Sequence, residues 1–229
     1  MKLTKINNKW DIWLPDHRAD RKEWPTWEYK RLESMHKTTK PDDIVYYVGA
    51  EEGDMAGLLA MWGAKLLMFE PNDKVWPQIK AIFDANKVQP LGVFPGFASD
   101  ITNYADLKGK PIHEWPDWVN GPIIAAHGFK ELKDPDNIPQ VRIDDVLTEI
   151  TVPPPDMISL DVEGSEGRVL RGAEQTLRKY RPRIYLSLHP EFLRTYGEWG
   201  AELRKWIMDL GYKETLLDYP LHEVHLYYD

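Results

Sequence analysis

Two sets of residues in this chain have the types and spacing to do chemistry. The first is Gly49-Ala50-Glu51-Glu52-Gly53-Asp54, followed by Glu70-Pro71-Asn72. Glycines in such a turn let a ligand approach the backbone. An acid at the end of the next strand can accept hydrogen bonds from both hydroxyls of a ribose. The pair suits an adenosine-type cofactor. Dinucleotide binders use Gly-x-Gly-x-x-Gly, but Glu51 stands where the second glycine belongs, and no Gly-Lys-Ser/Thr phosphate loop occurs. Glu51, Glu52 and Asp54 would also repel a pyrophosphate. S-adenosylmethionine has no phosphate and carries a sulfonium and an ammonium, so an acidic turn suits it. The same acids are also ordinary first-turn residues of a helix.

The second set is Asp161, Glu163, Glu166 and His189. With an unperturbed pKa near 6.5, His189 is the natural general base. Asp161 and Glu163 can orient it, bind an acceptor, or hold a divalent cation through oxygen ligands. Glu166 also reads as a helix N-terminal acid. In the tail Pro220-Leu221-His222-Glu223-Val224-His225 the histidines are three apart, not at His-Glu-x-x-His spacing. On a strand, Glu223 and His225 would share a face while His222 points away. No metal ligand is assigned from the sequence: a divalent ion is possible but not favoured.

These residues need elements to position them. Ile44–Val48 and Leu66–Phe69 are short apolar runs, the mark of central strands in a parallel sheet covered on both faces. Met55, Leu58, Leu59 and Trp62 recur at helical spacing, and Gly63 closes that helix. A helix over Asp73–Asn86 completes a βαβα opening, which predicts a doubly wound sheet. Further strands are expected at Leu91–Phe97, Met157–Val162 and Ile184–Leu188. Helices are expected through Val169, Leu170, Ala173 and Leu177 and through Trp199–Leu210. Tyr212–Leu217 and Val224–Tyr228 predict a closing antiparallel hairpin. Residues 1–40 read as a partly helical extension that packs on or covers the site, and 41–229 as one domain. Prolines make 103–140 an irregular insertion. Its Trp115 and Trp118 either stack on an acceptor or pack the loop down, and packing is the favoured reading. Lys30, Arg31, Lys37 and Lys40 read as a solvated basic face.

The stretch DIVYYVGAEEGDMAGLLAMWGAKLLMFEPN resembles the opening of FkbM-type methyltransferases. ISLDVEGSEGRVLRGAEQTLRKYRPRIYLSLHPEF resembles that family's later Asp-x-Glu-Gly-x-Glu block, in the same order. The likeness runs from about Asp43 to His189. It implies an α/β class I methyltransferase fold: Rossmann-like, doubly wound, mostly parallel, with the C-terminal antiparallel hairpin. It also implies S-adenosylmethionine as donor, S-adenosylhomocysteine as product, and O-methylation of a small-molecule or glycan acceptor. By position, Gly49, Ala50, Gly53 and Asp54 would contact the methionine part, and Glu70 the ribose. Pro71 and Asn72 would lie beside the adenosine, and Ala98, Ser99 and Asp100 near the adenine. Asp161 would close the cofactor site beside the catalytic group of His189, Asp161 and Glu163. Two positions depart from the family pattern: Tyr47 replaces an Asp, and Ser187 replaces a Glu. A nicotinamide-dependent oxidoreductase and a catalytically silent cofactor-binding module are the alternatives.

Composition narrows the partners. The 229 residues carry 29 Lys+Arg against 37 Asp+Glu, a net charge of −8, which disfavours nucleic acid. With no cysteine there is no disulfide framework, thiolate metal site or Cys nucleophile. No apolar run is long enough to span a bilayer, and the start lacks a signal-peptide core, so a cytoplasmic protein without a membrane partner is expected. Oligomeric state leaves no mark in the sequence.

Overall fold

The computed structural model describes residues 1–103, 115, 138–149, 152–220 and 222–229. The chain opens with an antiparallel hairpin, β1 (Lys2–Ile6) and β2 (Trp10–Leu14), that the sequence reading did not contain. Asn7 and Asn8 turn it with positive φ of 51° and 56°, a conformation Asn tolerates better than most residues. Trp10, Ile12 and Leu14 alternate inward along β2. The Asn86 side chain donates to Trp13 O and accepts from Trp13 N, both at 2.9 Å, which satisfies one position of the exposed strand edge. A short helix α1 (Asp16–Ala19) and the longer α2 (Tyr29–Thr38) complete the first forty residues.

From β3 (Ile44–Val48) the predicted alternation appears. It runs α3 (Asp54–Met61), β4 (Lys65–Phe69), α4 (Trp76–Ala85) and β5 (Gly92–Phe94). A small pair, β6 (Phe97–Ala98) and β7 (Gln140–Val141), lies outside the main sheet. After α5 (Ile143–Glu149) come β8 (Met157–Asp161), α6 (Glu166–Arg171), α7 (Glu174–Tyr180) and β9 (Arg183–Leu188). The chain finishes with α8 (Pro190–Thr195), α9 (Gly200–Asp209), β10 (Glu214–Asp218) and β11 (Val224–Tyr228). The expected single helix after β8 is two helices. Gly172 lies where a Cβ would come 1.8 Å from Ser99 O, and Asp144 accepts the N–H groups of Gln175 and Thr176 at the second helix start. A docked neighbour breaks the helix there.

The sheet order is β10-β11-β9-β8-β3-β4-β5. Its five central and edge strands β9-β8-β3-β4-β5 are parallel. The predicted closing hairpin forms, with β11 inserted antiparallel between β9 and β10. This is the doubly wound, mostly parallel α/β fold of class I methyltransferases. Side chains of β3 and β4 alternate between two cores. Val45, Tyr47, Leu66 and Met68 join one with Trp76, Ile79 and the hairpin residues Ile6, Ile12 and Leu14. Tyr46, Val48, Leu67 and Phe69 join the other with Leu160, Leu170 and Leu186. Each side chain buried this way contributes about 1.5–3 kcal/mol. All the chemistry-bearing strand ends therefore rest on a sheet packed on both faces.

Candidate active site

The turn after β3 depends on Gly49. Its φ is +81°, and a Cβ there would meet Asp161 O at 1.9 Å, so only glycine lets the ends of β3 and β8 lie so close. The Gly49 N–H bonds Phe69 O at 2.9 Å, and Gly53, at φ +87°, starts α3 against Ile79. Ala50 is buried beneath this turn. The buried Glu70 carboxylate accepts the N–H groups of Glu51 at 2.9 Å and Asn72 at 2.8 Å, tying both loops together. Burial pushes Glu70 up to about 7 despite those two bonds. Glu51 is pushed up to about 8, by burial first and then by Asp161, Glu70 and Glu163. Its side chain keeps solvent contact, so we assign the larger energetic effect to Glu70.

The other two acids of the turn have a cationic partner that sequence reasoning missed. Arg18, 3 % exposed, reaches in from α1 and pairs with both Glu52 and Asp54. Trp24 holds it: the indole Nε1 donates to Arg18 O at 2.7 Å, and the guanidinium lies 5.5 Å from the ring centroid. Arg18 Nε and Asp54 Oδ1 are both buried without a hydrogen-bond partner. One unmet donor on Arg18 and one unmet acceptor on its partner Asp54 are thus buried here.

The second group gathers at the neighbouring strand ends. His189 follows β9 and donates from Nδ1 to the fully buried Glu166 Oε1 at 2.7 Å, which turns Nε2 outward. Nε2 lies 3.3 Å from Glu223 Oε2 and 3.6 Å from Asp161 Oδ1. Burial disfavours a charged ring, but the hydrogen bonds of Glu166 and Glu223 and the charge of Asp161 outweigh it and lift His189 to about 10. Glu163, in the turn after β8, is exposed and takes φ +47°. Arg31 enters from α2 with 1 % exposure, so it belongs to no solvated basic face. Its Nη1 lies 2.8 Å from Glu28 Oε2, 3.0 Å from Asp161 Oδ2 and 2.7 Å from Ser187 Oγ. Tyr47 is a buried neighbour of the same guanidinium. Both departures from the family pattern, Tyr47 and Ser187, therefore border Arg31.

The remaining expected residues are more peripheral. Asn72 is buried and its Oδ1 accepts the Lys74 N–H at 3.1 Å, beside the half-buried Pro71. Ala98 and Ser99 are buried on and after β6, and Asp100 pairs with Arg168 Nε at 2.9 Å. Trp115 packs on Trp76 and Phe83, at ring separations of 6.4 and 5.9 Å. Trp118 and most of the 103–140 insertion lie outside the described residues.

A sheet of this order, with a glycine turn and acids at its switch point, has the class I methyltransferase fold. The family model described as "Methyltransferase FkbM domain" matches residues 43–214, and the chain belongs to that family. Among solved structures it is similar to the methyltransferase FkbM of Methylobacillus flagellatus, with TM-score 0.56 and 18 % identity over 86 % of this chain. This chain spans only half (50 %) of that protein. It is also similar to the precorrin 8w decarboxylase of Methanobacterium thermoautotrophicum, with TM-score 0.50 and 14 % identity, covering 88 % of this chain and 89 % of that one. No curated protein matches in sequence. Among the described residues, no helix is long and apolar enough to cross a membrane.

Proposed function

We propose that the chain is an S-adenosylmethionine-dependent methyltransferase acting on an oxygen of a small-molecule or glycan acceptor, in the cytoplasm. One observation carries the reading: Gly49 is pressed against the backbone of Asp161, so the cofactor turn and the acceptor-side acids share one wall. The unmet atoms at the turn support the cofactor. Asp54 Oδ1 complements an ammonium and Arg18 Nε complements a carboxylate, the two charges of an amino-acid head group. Glu70 retains lone pairs for ribose hydroxyls beyond its two backbone bonds. Pro71, Asn72, Ala98, Ser99 and Asp100 remain the candidates for the adenosine end. Family membership removes the support for a nicotinamide enzyme.

When bound, the sulfonium supplies an activated methyl group, so the protein's work is alignment and proton removal. Asp161, Glu163 and His189 face the acceptor's approach. The Glu166 bond fixes the His189 tautomer, and its Nε2 is the atom turned toward the acceptor. The surrounding carboxylates favour a protonated ring, so it serves as base only after losing a proton.

Calorimetry with S-adenosylhomocysteine tests the cofactor: binding is expected and should be lost in Glu70→Ala. Incubation of cell extract with the protein and isotope-labelled methyl donor tests turnover, read as labelled products by mass spectrometry. Cofactor binding without any labelled product would favour the silent module. Binding of NAD(H) in place of S-adenosylhomocysteine would sink the proposal.

A further inference from the structure

We propose that Asp161, His189 and Glu223 form a binding site for a divalent transition-metal ion. They come from three strand ends that the topology brings to one edge: the end of β8, the residue after β9 and the residue before the antiparallel β11. One potential ligand atom from each lies within 4.8 Å of the other two. Nε2 of His189 stands 3.3 Å from one carboxylate oxygen and 3.6 Å from the other. Metal–ligand bonds of about 2.0–2.2 Å place neighbouring donor atoms roughly 3.0–3.5 Å apart, so the gap is ion-sized. A single proton on Nε2 can serve only one of the two carboxylates. A cation between them serves all three groups.

Each ligand is already oriented from behind, as metal sites require. Glu166 takes the Nδ1–H of His189, so Nε2 is the atom left to coordinate once the ion displaces its proton. Arg31 takes Asp161 Oδ2 and leaves Oδ1 turned toward His189. An independent sign comes from His225. It is 2 % exposed, neither ring nitrogen has a hydrogen-bond partner, and its Nε2 lies 3.3 Å from Glu223 Oε1. A second buried imidazole without a hydrogen-bond partner therefore borders the cluster and can hold the Glu223 carboxylate or join the ligands.

One imidazole nitrogen with two carboxylate oxygens favours a first-row ion such as manganese or zinc over calcium. Its remaining positions would be open to water and to an acceptor hydroxyl, which the ion would acidify in place of His189 acting as base. The purpose of the ion rests on the methyl-transfer reading, but its binding does not.

The test is titration of the chelator-treated full chain with manganese chloride, followed by electron paramagnetic resonance. Zinc chloride is the competitor, and S-adenosylhomocysteine calorimetry runs on the same samples. We expect one manganese per chain, with affinity falling at least about tenfold in Glu223→Gln and in His189→Gln. Asp209→Asn, a surface acid remote from the cluster, should bind as wild type. Retained S-adenosylhomocysteine binding shows that the two site variants are folded. If neither ion binds the wild type, or both variants bind manganese unchanged, the proposal is overturned. If manganese binds as expected but S-adenosylhomocysteine does not, the metal site stands and the methyl-transfer reading falls.

Discussion

Glu70 is the residue whose chemistry is most exposed to measurement. Its folded pKa of about 7 lies above the ordinary 4.5, so the folded chain binds this proton more tightly than the unfolded chain. Stability from that proton is complete below about pH 4.5 and is lost as pH rises through 7. The loss is on the order of 3 kcal/mol. Urea unfolding of the ligand-free protein at intervals from pH 5 to 8 should therefore show falling stability, and Glu70→Gln should flatten the slope. S-adenosylhomocysteine affinity should move the other way, rising across the same window as the carboxylate ionises for the ribose. Gly49 makes a steric prediction. Gly49→Ala must open the β3–β8 contact and strain a positive φ, at about 2–5 kcal/mol with loss of cofactor binding. Gly53→Ala, whose Cβ would come no closer than 3.1 Å to Ile79, should cost less. Equal S-adenosylhomocysteine affinity in Gly49→Ala and wild type would separate this glycine from the cofactor wall.

At the scale of elements, the strands were legible because apolar runs as short as Ile44–Val48, bounded by Asp-Asp and Gly49, suit buried strands better than helices. The glycine turn and the acids were legible because they lie next to those runs. Arg18 and Arg31 were not, since each acts on residues far along the chain and carries no local signal of burial. Arg31 sat among lysines and read as solvated. Glu223 was half legible: period-two alternation placed it with His225, but not beside His189. The hairpin escaped because its alternation covers only Ile6, Trp10, Ile12 and Leu14 and gains its meaning from the helices it packs against. α2 buries Arg31 alongside its apolar residues Leu32 and Met35. Arg31→Met keeps the volume but takes the guanidinium from Glu28 and from Asp161 Oδ2. Breaking a buried ion pair this way should cost about 3–5 kcal/mol, read as a lowered urea midpoint. A midpoint within error of wild type would mean that α2 docks through its apolar contacts alone.

Across the whole molecule, the net charge of −8 is not spread evenly, and residues 1–40 answer its two concentrations. Arg18 neutralises the acids after β3, and Arg31 braces Asp161 beside the second cluster. The same segment supplies Ile6, Trp10, Ile12, Leu14, Leu32 and Met35 to the core shared with β3, β4, α3 and α4. At about 1.5–3 kcal/mol each, these six side chains together rival the roughly 5–15 kcal/mol by which a domain is stable. The family match begins only at residue 43, yet removal of 1–40 would strip Ile12 from beside Ile82, take its other side chains from the shared core, and leave both acid groups without their arginine. The chain cut to 41–229 should therefore lose cooperative thermal unfolding and aggregate, as judged by circular dichroism and light scattering. Supplying residues 1–40 as a separate peptide should restore soluble, S-adenosylhomocysteine-binding protein in part. A soluble 41–229 fragment that melts cooperatively and binds S-adenosylhomocysteine as tightly as the full chain would make the extension an accessory, with Arg18 outside the cofactor site.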